Sequence, residues 1–226
     1  LSIYFASSGY FVGVFAPKRE PTLRVVTGHS GPPERSTSDE AVLAAFARRD
    51  RRAAEMVYDH LVGVVDATLY RVVGRRESDH DDLVQSTFEQ IIVTLSRDRF
   101  AGGCTLRGWA ASIACHVGLN AIRSRRRARR VFAASADADV VAEMRASTAN
   151  PEAEAVARTE LHRLREHLAD MDPDRAETIV IHDVFGFSLA ETAKLMSVSL
   201  SAAQSRLVRG RREIRARMSG DSKEDA

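Results

Sequence analysis

Apolar positions recur at intervals of three and four through most of this sequence, the period that lays one stripe along a helix. From Ser38 onward Val42, Leu43 and Phe46, then Met56, Val57 and Leu61, follow that period. Ser38 is placed to cap the first helix, and Asp39 and Glu40 suit the positive end of its dipole. A second start falls at Ser78 to Asp81, after which Leu83, Phe88, Ile91, Ile92 and Leu95 make a stripe down to Ser96. Gly102 and Gly103 punctuate the chain. A further helix is predicted from Leu106 to Arg127, with Trp109, Ile113, Val117 and Ile122 inward. Its arginines gather at the C-terminal end, where the dipole favours cations. No alternating strand pattern of useful length interrupts this unit.

Ala133 to Ala157 is small, acidic and weakly periodic, and reads as a linker with at most nascent helix. Leu161, Leu164, Leu168 and Met171 then mark a helix, and Asp172 caps the next, with Pro173 at its first position. Ile179, Val180 and Val184 face inward before Gly186 breaks the run. Ser188 and Glu191 form a capping box opening a short helix through Leu189, Ala193 and Met196. Ser197-Val198-Ser199 makes a tight turn into a last helix with inner line Ala203, Leu207, Gly210 and Ile214. Short helix, tight turn and longer helix is helix-turn-helix geometry.

The expected fold class is therefore all-α: two small helical domains, over 38–130 and 159–218, joined by a flexible acidic linker at 131–158. The second is a four-helix unit with a helix-turn-helix, and 219–226 is expected to be a disordered tail. Residues 1–37 do not read as part of either unit. Ile3 to Ala16 is apolar but lacks the basic start of a signal peptide and is too short to span a bilayer. Gly28 to Thr37 is a Gly/Pro/Ser linker, and the sequence opens on Leu1 rather than Met. A flexible or misassigned leader is the expectation.

Composition narrows the class. Of 226 residues, 44% are hydrophobic, which excludes wholesale disorder. Two cysteines, Cys104 and Cys115, make neither a disulfide framework nor a four-cysteine zinc site. No run of about 18 apolar residues exists, so neither a spanning helix nor membrane insertion is expected, and the compartment is read as cytoplasmic. The net charge of +2 hides a segregation. Only Lys18, Lys194 and Lys223 among the 33 basic residues are lysines. Arg123, Arg125, Arg126, Arg127, Arg129 and Arg130 crowd one run, and Arg206, Arg209, Arg211, Arg212, Arg215 and Arg217 another. Between them, from Asp137 to Glu160, acids outnumber bases six to two. Arginine richness alone is equally a mark of genome composition, but the clustering makes two electropositive faces separated by a segment that repels polyanions.

With 203, 207, 210 and 214 turned inward, the last helix presents Ser205, Val208, Arg209 and Arg212, flanked by Gln204 and Arg206. Arg can bind guanine and Gln adenine bidentately, and an apolar group can pack on a thymine methyl. The competing reading is a solvated basic face, which the capped helix and turn in front of it disfavour. The 123–130 run is either phosphate-contacting or an ordinary helix end. Trp109 on the inner line reads first as a core anchor, and Phe88 and Leu83 equally fit a core. Asp82 does not, since a buried carboxylate needs a partner. His162 with Glu166, and His80 with Asp81, have spacings open to a metal. Without a paired signature they read as solvated helix faces, so no metal, cofactor or catalytic residue is expected. Cys104 and Cys115 read as packing rather than redox sensors.

Three stretches resemble one family. Asp79 to Phe88 (DHDDLVQSTF) resembles the core-polymerase-binding helix of extracytoplasmic-function (ECF) sigma factors of bacterial RNA polymerase. Phe100 to Arg127 resembles the family's promoter-melting segment, with its Leu-x-x-Trp, Ile-Ala and arginine-rich end, and Leu200 to Arg211 its recognition helix around Ser-Arg-Leu. The resemblance covers 39–130 and 160–218. It implies a promoter-specificity subunit without catalysis of its own. Core polymerase, at the clamp and flap of its large subunits, would be bound through Asp81, Asp82, Leu83, Gln85 and Phe88. The −10 strand would be held by Phe100, Trp109, His116, Asn120, Arg123, Arg126 and Arg127. The −35 duplex would be read by Ser201, Gln204, Ser205, Arg206, Val208, Arg209 and Arg212. Promoter DNA and an anti-sigma protein are the other implied partners. The family usually has Asn at His116, and an acidic or amide residue at Asn120. Gly, Thr and a basic residue of its recognition helix are replaced by Ser201, Ala202 and Gln204.

Two other readings are weighed against this one. A free-standing helix-turn-helix regulator would need a dimer seam for paired half-sites, and no coiled-coil stripe supplies it. A metal-dependent enzyme using His80 and His162 would need bound metal.

Overall fold

The computed structural model describes residues 2–5, 12–15, 38–76, 78–100, 102–132 and 151–224, with side-chain surroundings over 38–76, 78–100, 102–131 and 155–220. The Gly28–Thr37 linker and residues 133–150 of the acidic segment lie outside the described residues. Two strands, β1 (Ser2–Phe5) and β2 (Val12–Phe15), pair antiparallel with Ser2 opposite Phe15 and Ile3 opposite Val14. Both strands lie ahead of the two helical units, within the 1–37 stretch that the sequence placed outside them. Ile, Tyr, Phe and Val favour the extended chain, and Ser-Ser-Gly between the two runs is turn-type sequence. Both helical units are free of strands among the described residues.

The first unit contains α1 (Asp39–Ala47), α2 (Ala53–Val73), α3 (His80–Ser96) and α4 (Leu106–Phe132). Ser38 caps α1 as expected, its hydroxyl accepting from the Ala41 N–H at 3.2 Å. Asp39 does more than favour a dipole. Its carboxylate accepts from the Leu106 N–H at 2.8 Å, capping α4 from 67 positions away, and meets His60 Nε2 at 2.7 Å. Asp79 stands at the N-cap of α3 without a capping bond, because its carboxylate takes Arg125 Nη2 instead, at 2.5 Å. That guanidinium holds Asp79 below the usual carboxylate range against the opposing effect of burial. The core joins Val57, Leu61 and Val65 of α2, Phe88 and Ile91 of α3, and Leu106, Ala110 and Ala114 of α4.

The second unit contains α5 (Pro151–Asp170), α6 (Pro173–Ile179) running into a π-helical turn (Val180–Val184), α7 (Leu189–Leu195) and α8 (Leu200–Glu224). Asp172 caps α6 by accepting from the Arg175 N–H, and Ser188 with Glu191 completes a capping box on α7. Gly186 takes the left-handed backbone (φ 76°) that ends the run, and Ser197 the same conformation (φ 54°) in the turn before α8. On α8, Ala203, Leu207 and Gly210 are buried. Gly210 brings α8 against α6: a Cβ there would stand 2.7 Å from Ile179 Cδ1.

Three boundaries differ from the sequence reading. Helix α5 begins at Pro151, ahead of Leu161, because Pro suits a first turn and the intervening Ala and Glu are good helix formers without an apolar stripe. Helix α4 runs on to Phe132, since arginines propagate a helix well. Helix α8 runs to Glu224, into the stretch expected to be a disordered tail.

The larger difference is that the two units are packed together. A second hydrophobic cluster joins Val72 and Val73 of α2 and Cys115, Leu119 and Ile122 of α4 to Leu168, Met171, Ile179, Ile181 and Leu207. Arg165 of α5 reaches across to the end of α2, donating from Nε to Val72 O at 3.1 Å and from Nη2 to Arg71 O at 3.2 Å. Gly74, at φ 89°, leaves the space that its guanidinium fills.

Candidate nucleic-acid interface

The residues singled out on α4 form one row. His116, Asn120, Arg123 and Arg127 follow at intervals of four, three and four, so they share a face. His116, Asn120 and Arg127 are exposed, whereas Arg123 and Arg126 are partly covered. A hydrogen-bonded chain links the first three: Arg123 Nη1 donates to Asn120 Oδ1 at 3.2 Å, and Asn120 Nδ2 lies 2.9 Å from His116 Nε2. The chain ends in the other unit, where His116 Nδ1 lies 3.2 Å from Glu177 Oε2. Arg123 Nε and Nη2 are buried with no hydrogen-bond partner. A buried unmatched donor costs about 1–3 kcal/mol, and more on a charged group.

Phe100 and Trp109 stand at the other end of α4, ring centroids 5.1 Å apart and tilted by 54°. Both are partly buried and pack against the first core, so Trp109 anchors while keeping part of its surface in solvent. Phe187, from the turn before α7, lies over Gly108, its ring 3.1 Å from where a Cβ would be.

On α8, Ser201, Gln204, Ser205, Val208, Arg209 and Arg212 are exposed, with Val208 at 59%. An apolar side chain so exposed among polar neighbours on a recognition-type helix suits contact with a base methyl. Arg206 is drawn aside to Asp174, at 2.5 Å. Arg211, outside the candidate set, is structural: it forks onto Asp183, with Nε 2.9 Å from Oδ2, and ties α8 to the π-turn. On α3, Asp81, Asp82 and Gln85 are exposed, Leu83 is partly buried, and Gln85 Nε2 donates to Glu89 Oε1 at 3.0 Å. Phe88 is 8% exposed and belongs to the core. The aromatic surface on that side is Tyr58 of α2, 47% exposed, its ring 4.8 Å from that of Phe88.

His80, spaced for a metal in sequence, is buried with Nε2 2.8 Å from Asp66 Oδ1. No group of three or more His, Cys, Asp or Glu among the described residues could hold a metal ion. No helix among them is long and apolar enough to cross a membrane. Sequence reasoning missed that Glu166 and Asp170 meet the arginine run and that Glu177 meets His116. For Glu166 and Asp170 the signal in the sequence was complementary spacing, acids four apart on one helix and arginines three and four apart on another.

Comparison with known proteins matches this arrangement to one family. The sigma-70 region 2 model matches residues 57–128, and the sigma-70 region 4 model residues 158–214. The RNA polymerase sigma factor NccH of Alcaligenes xylosoxydans xylosoxydans is 33% identical over 184 residues, covering 79% of this chain and 96% of NccH. The sigma factor CnrH of Cupriavidus metallidurans is 32% identical over 194 residues, covering 82% and 96%. The ECF sigma factor SigE of Mycolicibacterium smegmatis is 29% identical over 210 residues, covering 93% and 73%. Among solved structures, CnrH bound to the cytosolic domain of CnrY superposes with a TM-score of 0.48 at 25% identity, covering 81% of this chain and 98% of that one. The sigma factor RpoE of Bartonella quintana bound to the anti-sigma factor NepR gives 0.44 at 18% identity, covering 74% and 98%. With region 2 matching α2 to α4, region 4 matching the helix-turn-helix unit, and NccH and CnrH matched over nearly their whole length, the chain belongs to the ECF sigma factors of RNA polymerase.

Proposed function

We propose that this sigma factor divides promoter recognition between the exposed face of α8 and the basic row of α4, while α3 holds the polymerase. Asp81, Asp82 and Gln85 make the polar part of the docking surface on the clamp and Leu83 an apolar part, with Phe88 supporting them from beneath. Gln204, Ser205, Val208, Arg209 and Arg212 enter the major groove of the −35 duplex, with Ser201 at the start of α8 and Arg206 at the edge. Each well-placed bidentate contact there supplies about 1–3 kcal/mol of discrimination. Melting the −10 element costs a few kcal/mol for each unstacked base. Phe100 and Trp109 offset it by stacking at one end of α4, and Arg123, Arg126 and Arg127 by taking phosphates at the other. His116 and Asn120 lie between, where their ring and amide contact the captured base. The protein adds no catalytic step of its own and works in the cytoplasm with the polymerase. An anti-sigma protein is its expected inhibitor.

The observation that carries this reading is the capped α7, the left-handed turn at Ser197 and the exposed Gln204–Arg212 face that follows. The test is run-off transcription with sigma-free core polymerase on the DNA upstream of the protein's own coding sequence. A defined start that needs the chain is expected, and Arg209→Ala should lower it while leaving core binding intact. Unchanged initiation by Arg209→Ala across promoter variants would count against the assignment.

A further inference from the structure

The basic end of α4 is ion-paired in this structure, and its partners are acidic. Arg126 forks onto Asp170, Nε to Oδ1 at 2.8 Å and Nη2 to Oδ2 at 2.5 Å, and also meets Glu166. Arg129 Nη2 lies 2.5 Å from Glu166 Oε1, and Arg130 Nη2 lies 3.0 Å from Asp170 Oδ1. Farther up the row His116 meets Glu177. The three carboxylates come from α5 and α6, and two of the groups they hold, His116 and Arg126, are among the proposed strand contacts, with Arg129 and Arg130 farther along the same helix. Asp170 receives Arg126 as a planar fork, the geometry with which arginine also takes phosphate.

The coverage is selective. Asp81, Asp82 and Gln85 on α3 stay exposed, as do Gln204, Ser205, Val208, Arg209 and Arg212 on α8. The cover also fits imperfectly, because Arg123 keeps two buried donors unmatched within it. Among the groups near Arg123 are the carboxylates of Glu177 and Asp172, neither of which accepts from those two donors. A phosphate entering this face would supply the missing acceptors. The packed arrangement is thus held by the shared apolar cluster, the carboxylates and Arg165, and opposed at Arg123.

We propose that Glu166, Asp170 and Glu177 are an internal latch that engages His116 and Arg126, two of the proposed strand contacts of α4, while the protein is off the polymerase. Region 4 then holds His116 and Arg126 of region 2 in the free chain, and these two become available to the strand only when the two units separate, whereas Asn120 and Arg127 are exposed in the packed form as well. The −35 face needs no such release. This rests on the assignment of the α4 row to single-stranded DNA.

The test compares the full-length chain with Glu166→Gln/Asp170→Asn/Glu177→Gln, which removes charge without changing shape. Arg165→Ala, which touches no α4 side chain named above, provides a second route to opening. Small-angle scattering reads the separation of the units, and fluorescence anisotropy with a short single strand of random sequence reads the mask. Both variants should show a larger radius of gyration and at least about tenfold tighter strand binding, about 1.4 kcal/mol. Binding of a random duplex, which α8 meets directly, should change far less. Wild-type chain that binds the strand as tightly as both variants overturns the latch, and so do variants that stay compact. Open variants without a gain in strand binding overturn it too. Holoenzyme carrying Arg123→Ala then locates the fault: normal promoter melting means the strand assignment failed, and impaired melting means only the latch did.

Discussion

His116 and Glu177, 61 positions apart, are hydrogen-bonded across the junction of regions 2 and 4, Nδ1 to Oε2 at 3.2 Å. The carboxylate raises the imidazole above its ordinary value of 6.5; burial and Arg123 oppose the shift, and Asp174 adds to it. Opening removes that carboxylate and lets the value fall back. The protonated ring therefore favours the packed form, fully so below the open-state value, and this contribution is lost as pH rises through the raised value. Alkaline titration is expected to open the chain, seen as a rise in radius of gyration that Glu177→Gln abolishes. Half the His116 side chain is exposed, so solvent screening keeps the effect modest.

Cys115 gives an independent measure of the same junction. It is 0% exposed within the shared apolar cluster, and burial pushes its thiol well above the usual range. The thiolate is the reactive form, so a maleimide should modify Cys115 only through opening. In a Cys104→Ser background, labelling should be slow in the wild-type sequence and at least about tenfold faster when Arg165→Ala is added, the equivalent of about 1.4 kcal/mol. Equal rates measured by mass spectrometry would mean that Cys115 is reached without separating the units.

The local grammar of the fold was legible in sequence. Ser38, Asp172 with Pro173, and the Ser188–Glu191 box each act within four residues, and all three cap the helices they were expected to cap. The inner line of α8 followed from period alone. The contacts that join distant parts were not legible. Asp39 looked like a first-turn acid, but its main partners are Leu106 and His60. Nothing local singles out Arg165, which finishes α2. Val72, Val73 and Cys115 fit the stripes of their own helices, and nothing local tells a core position from a junction. The separate domains expected from the acidic segment and the packed pair seen here differ through such long-range pairs.

Asp39 offers a direct test of one of them. Removing its carboxylate strips the Leu106 N–H of its acceptor and His60 of its partner, while Thr105 Oγ1 still accepts from the Gly108 N–H. Asp39→Ala should destabilise the first unit by about 1–2 kcal/mol, the range for loss of a helix cap. Asp39→Asn, which keeps an acceptor oxygen, should recover much of it. Thermal unfolding of the three proteins, followed by circular dichroism, measures both.

On α8, Arg209 is a proposed reader of the duplex, whereas Arg211 holds the fold. Arg209 is exposed, so Arg209→Ala should leave the melting temperature unchanged and weaken binding to the −35 duplex by about 1–3 kcal/mol. Arg211 is raised above the usual arginine value by its bond to Asp183, against burial. Arg211→Ala leaves that carboxylate, 8% exposed, without its fork. A loss of about 1–3 kcal/mol in stability is expected, with DNA affinity falling only as the fold does. Equal effects of the two substitutions on both measurements would erase the distinction.

Helix α3, proposed to dock the polymerase, divides in the same way. Asp82 is exposed at the start of α3, where a carboxylate also favours the dipole, so Asp82→Asn should cost less than about 1 kcal/mol of stability. Its effect should fall on core binding, weakened in titrations with labelled protein. Phe88 lies in the core between α2 and α4, and Phe88→Ala should cost about 3–5 kcal/mol through the cavity it leaves. Lost core binding by Phe88→Ala is therefore to be judged against its folding. Tyr58→Ala resolves the point, because Tyr58 is half in solvent above Phe88 and its removal leaves no buried cavity. If Tyr58→Ala weakens core binding while holding its melting temperature, the aromatic contact with the clamp is made by Tyr58, with Phe88 setting its position from below. If Tyr58→Ala binds normally, the polar residues 81, 82 and 85 carry the contact alone.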